Sequence, residues 1–427
     1  MGMARKFGMA QVRAGVVTES RMEPLKGTGA HTVQGLARSR LDSVDFLRGL
    51  VMVIMALDHT RDFFSKDLSF DPTDLGKTYP ALFLTRWITH YCAPVFMFLA
   101  GTGAFLFTTR GKSRGDLSWF LLTRGLWLVV LELTWVRSLG WLFNFDYHFS
   151  MGIVIWAIGW SMVVLAGLVW LPLGWIVTFG LVMIAGHNLF DFLQPEAFGR
   201  FAWLWKILHS GGVIVPSEGY RFAAGYPLIP WMGVMAAGYG FGSLLTRDPT
   251  ERRRWLVGLG GSMVALFIVV RWINVYGDPD PWSVQGNGVF TVFSFLNCHK
   301  YPPSLLYLLM TLGPALLVLA LMDGGTPRWI EPVQVFGRVP MFYYLIHLPV
   351  IHGLAVAAAY VQFGQAGWFF ANPPADPNTP SLIPPGYGFG LPAVYAIWIG
   401  VVVALYPACR WFANLKRRRH EPWLSYL

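Results

Sequence analysis

The chain has 427 residues, 55% of them apolar and only 13% charged, where soluble domains run near 45–50% and about 25%. Twenty Trp and 32 Phe exceed what one water-solvated core needs, which excludes most soluble folds. The formal charge of +10 arises from 33 Lys and Arg against 23 Asp and Glu, scattered in short clusters between apolar segments, a pattern of basic loops in a polytopic membrane protein and not of a nucleic-acid surface.

Residues 1–40 are polar and basic, and no apolar run follows the first cations. This predicts a disordered cytoplasmic tail and not a cleavable signal peptide. A membrane helix needs about 20 mostly apolar residues. On that rule the chain holds ten spans, at 45–64, 84–108, 117–137, 150–170, 173–190, 224–245, 255–276, 304–322, 334–360 and 390–412. The predicted fold class is all-α, a polytopic membrane helix bundle of about ten transmembrane helices over residues 41–415, with 416–427 as a second basic cytoplasmic tail. Arg110/Lys112/Arg114, Arg247/Arg252/Arg253/Arg254 and Lys416–Arg419 follow spans two, six and ten. With the basic amino segment they fall on one side, which the positive-inside rule makes cytoplasmic. The longer loops 191–223, 277–303 and 361–389 then lie outside, and 371–388, rich in Pro and Gly, reads as irregular and exposed. Cys92, Cys298 and Cys409 have no framework spacing. No internal repeat argues for an inverted-repeat transporter.

Span one is the unusual one. Its uninterrupted apolar stretch, Gly49–Leu57, is too short to cross a bilayer, so Arg48 and the group Asp58, His59, Arg61, Asp62 lie at or within the membrane boundaries. Charge there is costly and usually faces a polar cavity. Arg48 and His59 are about three turns apart on one face, separated by roughly 16 Å. Asp62, one turn beyond His59, is placed to orient its ring, and Asp58 points elsewhere. The competing reading is that Arg48 snorkels and the other four are the wet end of a helix. Span two carries Arg86 and His90, the latter near the depth of His59. Span three carries Arg124 and Glu132 near one face, as an internal ion pair would. His299 and Lys300 stand at the outer mouth, before Pro302 and Pro303. Span nine carries Arg338, then Tyr343 and His347 at i, i+4. His90/Cys92 and Cys298/His299 lack a recognised zinc spacing, so no metal is expected.

The segments Arg40–Leu50, His90–Gly101, Tyr226–Met235, Lys300–Tyr307 and Phe336–His347 resemble the bacterial branch of the heparan-α-glucosaminide N-acetyltransferase family. The resemblance runs in order from about residue 40 to the end. The spacing of Arg48 and His59 also resembles the first helix of membrane O-acyltransferases that decorate bacterial surface glycans. The resemblance implies a transmembrane acyltransferase fold in a bacterial inner membrane, with acetyl-CoA as donor and a sugar amine or hydroxyl across the membrane as acceptor. There is a departure. The lysosomal members carry their proposed catalytic His in the loop before the second span, whereas Ser65–Leu84 has no histidine here. His59 and His90 stand where those members have Asn and Asp.

Together these readings give His59 as general base, with Asp62 and His90 as further catalytic candidates. Arg48, Arg124 and Arg338, in the cytoplasmic halves of their helices, are the candidates for CoA phosphates, since guanidinium suits phosphate. His299, Lys300, Tyr343 and His347 are the candidates for the acceptor. The expected partners are acetyl-CoA, a sugar or glycan acceptor and the bilayer, and the reading admits a homodimer. The alternative function is a transporter or flippase for a small glycan or lipid-linked substrate. Reporter fusions at Lys112, Arg252 and His420 are expected to report cytoplasm, and a signal from the opposite side at any of them rejects the ten-span arrangement.

Overall fold

The computed structural model describes residues 28–325, 327–375, 382–419 and 421–426. Helices α1 (Thr28–Phe64), α2 (Pro80–Thr89), α3 (Cys92–Thr108) and α4 (Arg114–Leu131) come first, and a π-helical stretch, Glu132–Trp141, extends α4. Strand β1 (Phe149–Gly152) precedes α5 (Val154–Leu168) and α6 (Leu173–Gly186). The next connection holds the single turn α7 (Ala202–Trp205) and strands β2 (Gly212–Ser217) and β3 (Tyr220–Ala224). Then follow α8 (Leu228–Gly242), α9 (Pro249–Ile273), the short α10 (Gly288–Leu296), α11 (Leu305–Met322), α12 (Glu331–Arg338), α13 (Pro340–Phe363) and α14 (Leu391–Arg418).

Among the described residues, eight helices are long and apolar enough to cross a membrane, α2 and α3 counting as one. The other two expected spans are also helices. One is α1, whose charges set it apart from the eight, and the other is α5, only 15 residues long. The expected start of that span at 150 is displaced, because residues 149–152 form a strand. β1 pairs parallel with β3, and β3 pairs antiparallel with β2, in the order β1-β3-β2. The helical class thus carries a small sheet. Its strands are short: β1 takes residues expected to open a span, whereas β2, and β3 up to Ala223, fall in the expected loop 191–223. The ninth span, expected at 334–360, is divided at Val339–Pro340, where Pro340 opens a new helix.

The two expected tails differ from expectation. Residues 28–40 continue α1, and 1–27 lie outside the described residues. At the other end α14 runs through Arg418, Leu424 is buried, and the Tyr426 hydroxyl meets that of Thr123 at 2.8 Å. In the loop expected to be exposed, residues 376–381 lie outside the described residues, whereas Tyr387 is buried and its hydroxyl donates to the Phe63 carbonyl at 2.8 Å.

In an apolar medium every backbone polar group needs a partner within the protein. Pro94 has no N–H to give the carbonyl four residues back, that of His90, and the turn breaks there between α2 and α3. The Tyr307 hydroxyl donates to this freed carbonyl at 2.7 Å. Pro349 frees the carbonyl of Leu345 in the same way, and the Trp135 indole donates to it at 3.0 Å. Glu132 does not pair with Arg124 as expected. Its carboxylate accepts from the Ile155 and Trp156 N–H groups at 3.1 Å each, at the amino end of α5.

Close helix crossings use glycine. A Cβ on Gly337 would lie 1.8 Å from the Asp45 carbonyl oxygen, and one on Gly49 1.9 Å from that of Val333, so α1 and α12 touch backbone to backbone. Gly101 and Gly238 do the same for α3 and α8, at 2.0 Å and 2.1 Å. Gly337→Ala is therefore expected to destabilise the fold by about 1–3 kcal/mol or more, by forcing α1 and α12 apart. Gly261→Ala, whose Cβ meets nothing within 4 Å, is the control. Equal thermal midpoints for both variants in detergent would refute this packing argument.

Candidate functional site

The last turns of α1 meet the α2–α3 break, residues 300–301, the start of α5 and Tyr344 of α13 around a cavity of about 210 Å³. Four charged side chains line or adjoin it in a chain. The Arg86 guanidinium donates to both oxygens of Asp58, at 2.8 and 2.6 Å. Arg61 donates to Asp58 at 2.9 Å and to Asp62 at 2.6 Å. Two acids and two bases balance, and Lys300 adds a cation to the wall. Burial by itself would raise the Tyr301 hydroxyl, but Lys300 and Arg86 outweigh it and hold that phenol below its ordinary range.

His59 stands in this wall, edge-on to the Trp141 indole at 5.1 Å and 5.3 Å from the His347 ring. Its Nδ1 is buried and has no hydrogen-bond partner. Asp62 is 3.9 Å from that nitrogen, too far to hold the ring by a hydrogen bond. The expected orienting role of Asp62 is thus not met in this geometry, because Arg61 takes up one of its oxygens. The Trp141 Nε1 and the Tyr344 hydroxyl, on the same wall, are also buried without partners. Buried polar groups are nearly always paired, so three orphans converging on one cavity make it the candidate ligand site.

The other predicted residues divide. Lys300 lines the cavity. His90 is buried beside Tyr307 at 5.4 Å and stays outside the cavity wall, since the break at Pro94 turns its carbonyl and ring toward α11. His299 is held in the loop, its Nδ1 2.7 Å from Asp280 and its Nε2 3.0 Å from the Tyr301 carbonyl. Burial would lower that imidazole, and the Asp280 carboxylate outweighs it, so the ring holds its proton above the ordinary range. Tyr343 and His347 are fully buried and stack on each other at 5.1 Å, behind the wall. His347 donates from Nδ1 to the Tyr343 and Tyr344 carbonyls at 3.0 and 2.8 Å, which leaves its Nε2 unpaired. Tyr344 takes the lining position expected of Tyr343, one residue around the helix.

Arg48, Arg124 and Arg338 do assemble, about three turns back along α1 from His59. Arg48 donates to Asp45 and to the Gly337 carbonyl, each at 3.3 Å, and Arg338 lies 3.5 Å from Asp42 and 3.8 Å from Asp45. Arg124 and Lys416 are within electrostatic reach of Arg48. Among the described residues, four cations thus face two carboxylates. Sequence reasoning missed the roles of Asp58 and Arg86, although opposite charges in neighbouring apolar spans are a signal that they pair. It also missed Trp141, Tyr226, Tyr301 and Tyr344, for which aromatic abundance hid any signal.

Residues 40–272, more than half of the chain, match the family model described as heparan-alpha-glucosaminide N-acetyltransferase, catalytic. No curated protein matches the chain. The matched stretch holds every cavity-lining residue except Lys300, Tyr301 and Tyr344. Of the five resembling segments, the two at Lys300–Tyr307 and Phe336–His347 fall beyond it.

The ionic chain yields a stability test. Asp58→Ala leaves Arg86 and Arg61 without their shared carboxylate, and breaking a buried pair from one side costs about 3–5 kcal/mol. A marked drop in the thermal midpoint in detergent is expected, with partial recovery in Asp58→Ala/Arg86→Met. A wild-type midpoint for Asp58→Ala would show that the chain of charges does not hold α1 to α2.

Proposed function

We propose that this chain, which belongs to the heparan-alpha-glucosaminide N-acetyltransferase family, transfers an acetyl group from acetyl-CoA to a sugar amine or hydroxyl, with His59 as the general base. The observation that carries the reading is the set of buried, unpaired polar atoms of His59, Trp141 and Tyr344 around one charged cavity. No observation favours the transporter alternative.

Acetyl-CoA would supply an acetyl thioester, whose carbonyl carbon is open to a nucleophile. The four cations Arg48, Arg124, Arg338 and Lys416 outnumber Asp42 and Asp45, an excess suited to the phosphates of CoA. The acceptor would enter the cavity beside Lys300 and Tyr301. As its oxygen or nitrogen bonds to the acetyl carbon, His59 takes the proton that the acceptor loses. Asp62, whose carboxylate stands 3.9 Å from the His59 Nδ1, lies on the same wall. His59 then returns the proton to the departing sulfur, so the imidazole ends neutral and ready for another cycle. The orphaned Trp141 N–H and Tyr344 hydroxyl are donors available to an oxygen that gains negative charge. His347, packed behind His59, acts on its placement and does not touch the acceptor.

Purified protein with labelled acetyl-CoA and a panel of hexosamine glycosides is expected to give an acetylated sugar. His59→Ala should reduce transfer by about 10²–10⁴-fold, the usual contribution of such a base. Donor affinity in that variant should be nearly unchanged. Arg48→Ala should instead weaken acetyl-CoA binding by about 1.5–3 kcal/mol, with Arg48→Lys recovering only part. Transfer at the wild-type rate by His59→Ala ends the base assignment, and absence of acetyl-CoA binding by the intact protein ends the donor assignment.

A further inference from the structure

The connection between α6 and α8 carries a second cluster, unused by the proposed transfer. His187 and Asp191 are i, i+4 at the end of α6, and His209 follows at the end of the π-helical turn Lys206–Ser210. One ligand atom from each of the three lies within 4.8 Å of the others.

The cluster has the marks of a ligand site. His187 is 2% exposed, yet neither of its ring nitrogens has a hydrogen-bond partner. The Pro303 carbonyl approaches the ring without completing a bond. A neutral imidazole carries one donor and one acceptor, and leaving both unmade in a buried place is costly. His209 is likewise 2% exposed, and its ring is fixed by stacking on Trp205 at 4.7 Å. The Asp191 carboxylate is oriented too. Its Oδ2 accepts from the Asn188 amide at 2.8 Å, which leaves Oδ1 facing the His209 Nε2 at 3.6 Å. That separation is close to the edge of a tetrahedron with zinc bonds near 2.1 Å, about 3.4 Å. A ligating carboxylate held by a hydrogen bond to its other oxygen is a common outer-shell arrangement.

We propose that His187, Asp191 and His209 bind a zinc-class divalent cation. Two imidazoles and one carboxylate form a three-ligand set with a position left for a further donor, a combination that suits zinc. On binding, the His209 Nε2 gives up its present 2.9 Å contact with the His187 carbonyl for the metal. The same Asn188 that holds Asp191 accepts from the Leu305 N–H at 3.0 Å. The cation therefore fastens the 187–210 connection to the start of α11, directly after the segment whose Lys300 and Tyr301 line the cavity. The sequence reading expected no metal because it sought pairs around Cys92 and Cys298. The His187–Asp191 spacing and the distant His209 gain meaning only when the connection folds back.

The test uses tag-free full-length protein in detergent, stripped by a chelator, given zinc alone and desalted. About one zinc per chain is expected by elemental analysis, and cobalt in its place should give the visible absorption of a tetrahedral site. His187→Ala and His209→Ala should lose the retained metal, and zinc should raise the thermal midpoint of the wild type but not of these variants. Asp191→Asn, nearly isosteric, decides the matter should the histidine variants fail to fold, and its apparent affinity for zinc should fall at least about tenfold. No retained zinc in the wild type, or undiminished binding in Asp191→Asn, overturns the proposal.

Discussion

Asp58 is a carboxylate in a helix that runs among membrane-spanning helices, and it is held by two guanidinium groups. A lone charge in that place is costly, and opposite charges there are held by pairing with one another. Arg86 grips both carboxylate oxygens from α2, and Arg61 grips one from α1 itself. The arrangement fixes the rotation of α1 about its own axis. Once Asp58 faces Arg86, His59 is turned by one residue, about 100°, toward Trp141 and His347. The imidazole's position is thus a consequence of its neighbour's electrostatics.

The second constraint is the backbone. A span containing proline has an unpaired carbonyl, and an apolar surrounding cannot satisfy it. Here the partners are aromatic donors from other helices, Tyr307 for His90 and Trp135 for Leu345. The break at His90–Tyr91 shapes the cavity as well, since residues before it, Arg86 and Thr89, and after it, Cys92, Ala93 and Phe96, all reach the same wall. Part of the aromatic excess therefore serves as hydrogen-bond donors to broken helices and part as cavity lining, which composition alone cannot separate.

What was legible in the sequence follows from the range of the interactions involved. Helical spans depend on local apolar runs, and every expected span contains a helix. The face shared by Arg48 and His59 depends only on the α-helical period. The cluster of Arg48, Arg124 and Arg338 was reachable because all three fall in the same halves of their expected spans, on the side that the basic loops mark. The errors concern contacts between elements. Asp58 was read as pointing away because its partner lies on another helix. Glu132 and Arg124 share a helix face, but the unmet N–H groups at the start of α5 attract the carboxylate more strongly than a cation two turns away. The small sheet joins residues around 150 to residues around 220, and no local pattern announces such pairing. His90 was expected at the site on depth alone, and depth does not fix the direction of a side chain beside a helix break.

Helix α1 connects the two polar regions by covalent geometry. Arg48 and His59 are separated by eleven residues, roughly 16 Å of helix rise, and this length does not depend on side-chain packing. The ends of the ruler are fixed separately. Near Arg48, Gly49 and Gly337 bring α12 into backbone contact, and the Gly337 carbonyl accepts from the Arg48 guanidinium. Near His59, the Asp58–Arg86 pair anchors the helix to α2. Between them the Trp398 indole donates to the Val53 carbonyl and the Cys92 thiol to that of Val51, at 2.8 and 3.3 Å. A helix held at both ends and in the middle cannot slide to bring the cations nearer the imidazole. Under the proposed reading, a donor bound by its phosphates must itself cover that span, which favours one with a long, thin arm between its charged and reactive ends. The rigidity of α1 thereby makes donor length a selection rule, without any contact to the acyl group.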